Sequence, residues 1–91
     1  MNIQKLRTQI DSLDREIIEL LSKRFEIVEK VAEEKKKTNT EAHQPLRWAE
    51  VLETRRSMAS ENNLNIDLVC EIWETIHKYA ISSEELIIKN N

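Results

Sequence analysis

The stretch IQKLRTQIDSLDREIIELLSKRFEIVEKVAEEKKK, residues Ile3–Lys37, decides how the rest of the chain is read. Apolar residues recur in it at Ile3, Leu6, Ile10, Leu13, Ile17, Leu20/Leu21, Val28 and Val31. Gaps of three and four residues put them on one face of an α-helix. Neither Pro nor Gly interrupts the run, and most intervening positions are Glu, Lys, Arg or Gln, which favour helix. At ~1.5 Å per residue such a helix is about 50 Å long. A compact chain of this size has a radius of gyration of only ~12 Å. The remaining residues cannot cover so long a helix. A second copy of the chain is expected to cover it.

The same stretch carries the first chemistry. Continuing the stripe gives Ile17, Leu21, Arg24, Val28, Val31 and Lys35, and extending it backwards brings Arg7 in beside Ile3 and Ile10. A charge on a core face is costly unless an opposite charge meets it. Two readings stand. Either these long side chains lie at the edge of the stripe and reach out to water, or Arg7, Arg24 and Lys35 line an anion pocket inside a helical bundle.

Composition narrows the class. Ninety-one residues make one small domain, 1–91, at the low end of what folds unaided. With no Gly and one Pro, tight hairpins and Gly-rich phosphate loops are not expected. Charged residues interleaved with aliphatics at helical spacing point to an all-α fold. The net charge of −3, without a basic block or a stacking aromatic cluster, speaks against nucleic acid as a partner. Cys70 stands alone, forms no intrachain disulfide and suits a reducing compartment. No run resembles a signal peptide or a membrane span, so a soluble cytoplasmic protein with no membrane partner is expected.

Along the chain, the first helix is expected to end near Lys36–Thr38, with a loop reaching His43-Gln44. Pro45 suits the first turn of a second helix, where its missing N–H costs nothing. Glu61-Asn62-Asn63 makes the next break, and Asn65 suits the N-cap of a third helix. In that helix Ile66, Val69, Trp73, Ile76, Ala80, Glu84 and Ile87 share a stripe. Glu84 interrupts it as Arg24 and Lys35 interrupt the first, and on pattern alone it reads equally as a solvated residue near a helix end. Trp48 and Trp73 read as packing residues, although Trp48 beside Arg47 is placed to wall a pocket. Cys70 reads as a small core residue. Asp11 and Asp14 read as local partners of neighbouring cations rather than an acid–base dyad. His43 and His77 have no Cys, Asp or His at ligand spacing, so no metal is expected. No cofactor motif or Ser/His/Asp arrangement is visible.

The chain resembles the all-helical chorismate mutase family, whose members are intertwined helical dimers. The likeness is strongest in Arg7-x-x-Ile10-Asp11-x-Leu13-Asp14, Leu20-Leu21-x-x-Arg24 and Val31-x-x-x-Lys35. It continues through Pro45-Leu46-Arg47, with Arg55 eight residues on, and Asn62-Asn63-Leu64. The resemblance implies a three-helix chain paired with a second copy, binding the small dianion chorismate and rearranging it to prephenate. It implies that Arg7 binds a substrate carboxylate in the partner subunit's site and that Arg24 binds one within its own. Lys35 would hydrogen-bond the ether oxygen and a carboxylate, Arg47 would clamp at the pocket mouth, and Glu84 would donate to the ether oxygen. The rearrangement is pericyclic and needs no nucleophile, metal or cofactor.

Three positions depart from the family pattern. Glu84 stands where bacterial members often carry Gln, and an ionised carboxylate there cannot donate a hydrogen bond. Turnover is therefore expected to rise as pH falls below neutral, and Glu84→Gln to flatten the dependence. Trp48 replaces a Glu that contacts the ring hydroxyl, and Gln44 stands where several mutases carry Asp. These departures keep isochorismate-pyruvate lyase and 4-amino-4-deoxychorismate mutase chemistry open on the same fold. A non-catalytic dimerisation module is a further alternative, against which stands the presence of Arg7, Arg24, Lys35 and Arg47 together.

Overall fold

A computed structural model describes residues 2–90 as three helices in chain order: α1 (Ile3–Lys37), α2 (Pro45–Glu61) and α3 (Ile66–Lys89). The boundaries have local causes. The Asn2 side chain caps α1 by accepting from the Lys5 N–H at 2.9 Å, and Asn65 caps α3 by accepting from the Leu68 N–H at 3.0 Å. Each satisfies one of the amide donors that a helix start leaves without an internal partner. Pro45 opens α2 without a side-chain cap.

Both internal helix ends close in the same way, and the absence of glycine makes the solution informative. Asn39 and Asn63 adopt the left-handed conformation, with φ of 54° and 56°. After them the Thr40 N–H donates to the Lys35 carbonyl at 2.8 Å, and the Leu64 N–H donates to the Ala59 carbonyl at 2.9 Å. The Asn39 and Asn63 amides reach back to Lys36 and Ser60. These are Schellman closures, in which Asn takes the place that Gly usually occupies.

α3 packs against both α1 and α2. The buried apolar residues are small: Ala32, Ala42, Val51, Ala59, Val69, Cys70 and Ala80. Among the described residues no large side chain is fully buried. The chain is elongated, 55 × 25 × 15 Å, with a radius of gyration of 16.4 Å, against ~12 Å for a compact chain of this length. The N-terminal part of α1 stands largely free, with Ile10, Leu13 and Ile17 each more than half exposed. Beside it a groove of about 750 Å³ runs between α1 and α3, lined by Ile17, Leu20, Leu21, Leu68, Ile72 and Trp73 among others. Asp11 and Asp14, expected to pair with nearby cations, make no ion pair among the described residues; along an exposed helix nothing holds them to a partner. No helix among the described residues is long and apolar enough to cross a membrane.

Candidate active site

A pocket of about 180 Å³ lies where the C-terminal half of α1, the start of α2 and the C-terminal half of α3 meet. Arg24, Lys35, Arg47, Trp48 and Glu84 all line it, together with Gln44 and His77. Residues spread over sixty positions of sequence, from Arg24 to Glu84, thus share one wall because α1 and α3 lie side by side.

At its centre is an ion pair. Lys35 Nζ donates to Glu84 Oε1 at 2.7 Å and to the Ala42 carbonyl at 2.6 Å. The two side chains are only 16% and 7% exposed, so little water weakens the attraction. Glu84 is therefore not the solvated helix-end residue that its pattern also allowed. Towards Lys35 it is the acceptor.

Arg24 is the contrast. Its Nη1 is buried and has no hydrogen-bond partner among the described residues. Burial lowers the pKa of its guanidinium, and the positive charges of Arg55 and Arg47 push the same way, with Glu84 opposing them. The group stays charged, because guanidinium titrates far above neutral pH. A half-buried cation with one buried, unused donor is costly until an acceptor arrives. Arg47 sits further out, more than half exposed, and is ion-paired with Glu50 of its own helix. Arg55 reads in sequence as part of a pattern and acquires a role only here, through its charge beside Arg24.

One side of the pocket is aromatic. Trp48 stacks on His77, with centroids 4.0 Å apart and planes inclined by 11°. His77 Nε2 lies 3.2 Å from Nδ1 of His43. In the sequence the two histidines stand 34 residues apart, with nothing to mark them as neighbours. Burial, followed by His43, holds His77 below the ordinary imidazole pKa.

Arg7 is not part of this pocket. It lies on the exposed N-terminal part of α1, 28 residues before Lys35 and hence roughly 40 Å away along the helix. Trp73 likewise lies apart, facing the α1–α3 groove with its Nε1 buried and unpartnered.

What this arrangement can do follows from its charges. Arg24, Lys35 and Arg47 line the pocket, and with Lys35 held by Glu84 and Arg47 by Glu50 the Arg24 charge is left without a carboxylate, so the pocket suits a compact anion. No group of three or more metal-binding side chains occurs among the described residues.

The chain matches one family model and several known proteins. The model of the family "Chorismate mutase type II" matches residues 6–85. The chain is 32% identical over 82 residues to the T-protein of Haemophilus influenzae, covering 90% of this chain and 22% of that protein. It is 34% identical over 79 residues to the T-protein of Enterobacter agglomerans, covering 87% and 21%. It is 28% identical over 91 residues to the bifunctional chorismate mutase/prephenate dehydratase of Buchnera aphidicola, covering 96% and 23%. The chain thus spans about a fifth of the length of these relatives.

Proposed function

Because this chain belongs to the chorismate mutase type II family, we propose that it rearranges chorismate to prephenate. The observation that carries the proposal is the buried, unpartnered Arg24 Nη1 in a pocket shared with Lys35 and Arg47. Chorismate is a dianion, and its carboxylates supply the opposite charge that Arg24 lacks and that Arg47 can exchange for its exposed contact with Glu50.

The reaction makes few demands on the protein. The flexible enolpyruvyl side chain must be held over the ring, which converts conformational freedom into reactive geometry. Negative charge gathering on the ether oxygen as the C–O bond breaks must be stabilised. Arg24 and Arg47 bind the carboxylates, and Lys35, held between the Ala42 carbonyl and Glu84, places its ammonium against the ether oxygen. Glu84, once protonated, donates to the same oxygen. All these groups project from helices or from residues tied to them, so little has to reorganise during the reaction.

Two copies form the working unit in this reading. The exposed Ile10, Leu13 and Ile17 and the adjoining groove supply an apolar surface for a second chain. Arg7 of the partner subunit then completes each pocket by contacting a substrate carboxylate.

The test is to incubate the purified protein separately with chorismate and isochorismate and to identify the products. Prephenate from chorismate supports the proposal. Salicylate and pyruvate from isochorismate would replace it with the lyase, a second reading that Trp48 favours by presenting an indole where a Glu is usual. Turnover of 4-amino-4-deoxychorismate alone would redirect the assignment to the amino analogue. Inactivity towards all three would leave a dimerisation module.

A further inference from the structure

The connection between α1 and α2 is tied down at two consecutive residues. The Ala42 carbonyl accepts from Lys35 Nζ at 2.6 Å, and the next residue, His43, meets His77 of α3 with Nδ1 and Nε2 3.2 Å apart. His77 precedes Glu84 by seven residues, two turns of helix, so both lie on one face of α3. A closed circuit results. Lys35 reaches Ala42, His43 reaches His77, and Glu84 of the same helix returns to Lys35.

We propose that His43 and His77 form a clasp that holds the loop against α3, so that the Ala42 carbonyl and Glu84 together aim the Lys35 ammonium into the pocket. Both histidines are positioning residues, acting through Lys35. The proposal rests on the mutase reading of the pocket for its catalytic consequence, although the clasp itself is a matter of hydrogen bonding.

The geometry also gives the clasp a protonation requirement. Of two imidazole nitrogens 3.2 Å apart, one must carry the hydrogen and the other a lone pair. At least one ring is therefore neutral. Protonating both sets N–H against N–H and charge against charge. The groups around His77 are His43 from the loop, Trp48 stacked on its ring from α2, Arg24 and Lys35 from α1, and Glu84 on its own helix. All the cationic neighbours oppose a second proton, and only Glu84 favours it. The clasp is accordingly shut at neutral pH and opens in acid. Trp48, flat against His77, limits the ring to small in-plane adjustments while it is shut.

His43 is the better residue to change, since it is exposed and does not line the pocket. His43→Ala removes the tether, whereas His43→Asn keeps an amide near Nδ1 that can donate or accept and does not titrate. The expected result with chorismate is a roughly tenfold fall in kcat for His43→Ala, with a smaller change in KM, because a small misplacement of a catalytic group is expensive. His43→Asn should recover most of that loss. The wild-type protein should also lose kcat in acid, and His43→Asn should not. Nitrogen-resolved NMR of the imidazoles and of the Lys35 ammonium provides a second readout that needs no turnover. Expected are coupled titration of the two rings and a Lys35 signal that His43→Ala abolishes or shifts. Independent titration of the rings, or an unchanged Lys35 signal in His43→Ala, would overturn the clasp whatever the enzyme's substrate. A wild-type kcat in His43→Ala would do the same. Absence of turnover in the wild-type protein would instead overturn the mutase reading, with the NMR result still deciding the clasp.

Discussion

Lys35 and Glu84 are 49 residues apart in the chain, yet Nζ of one lies 2.7 Å from Oε1 of the other, almost out of reach of solvent. This pair joins α1 to α3 at the pocket. Its two members depend on each other for folding as well as chemistry, because either one alone would be a buried charge without a partner.

The first prediction follows from that dependence. Lys35→Ala should abolish turnover and also destabilise the fold by roughly 3 kcal/mol, the cost of stranding a buried carboxylate. Lys35→Met combined with Glu84→Leu should recover most of the stability while remaining inactive. Denaturant titration of the single and double variants gives the comparison. A stable Lys35→Ala protein would mean that the pair is wetter than it stands here.

Arg24 should behave differently. Its buried Nη1 has no partner among the described residues, and its charge is opposed by Arg55 and Arg47. Arg24→Ala is therefore expected to leave folding stability unchanged or slightly raised, while lowering kcat/KM by roughly 100-fold or more. Parallel thermal melts and steady-state kinetics test this. Comparable losses in both would assign Arg24 to packing.

Glu84 should limit how well the ether oxygen is stabilised. Paired with Lys35 it accepts a hydrogen bond, and donation to the ether oxygen requires the protonated form. Glu84→Gln, whose amide donates without an added proton, should therefore raise kcat at neutral pH. Steady-state kinetics of the two proteins tests this. An unchanged or lower kcat in Glu84→Gln would sink this assignment.

Stability should carry its own pH signature. His77 has a folded-state pKa below the ordinary imidazole value of 6.5. The unfolded chain therefore binds more protons than the folded one between the lowered value and 6.5. Stability is full above this window and declines as pH falls through it. The decline should be smaller in His77→Gln, measured by urea unfolding at a series of pH values.

Subunit exchange tests the paired assembly. Arg7→Ala and Lys35→Ala proteins, each inactive alone, should regain about a quarter of wild-type activity when unfolded and refolded together. Half of randomly paired dimers are mixed, and each mixed dimer holds one intact pocket. Sedimentation showing only a monomer would remove the basis for sharing Arg7.

Much of this protein is legible in its sequence because helices are specified locally. The three- and four-residue spacing in Ile3–Lys37, Pro45 at the first turn of α2 and Asn65 at the cap of α3 act within a turn or two of themselves. The excess of apolar residues on α1 over what the rest of the chain could cover also followed from length and period alone. Oddities of pattern picked out Arg24, Lys35 and Glu84, since a charge on an apolar stripe is visible without coordinates.

Tertiary structure decided which oddities meet. Nothing in the sequence says that Glu84 receives Lys35 while Nη1 of Arg24 meets no partner among the described residues, because the relative register of α1 and α3 depends on how whole side-chain surfaces interlock. The stacking of Trp48 on His77, and the contact of His77 with His43 across 34 residues, were equally out of reach. Periodicity reports the face on which a residue lies. Contact between faces is a long-range property, fixed only when the chain turns back at Asn39 and Asn63 and the helices settle against each other.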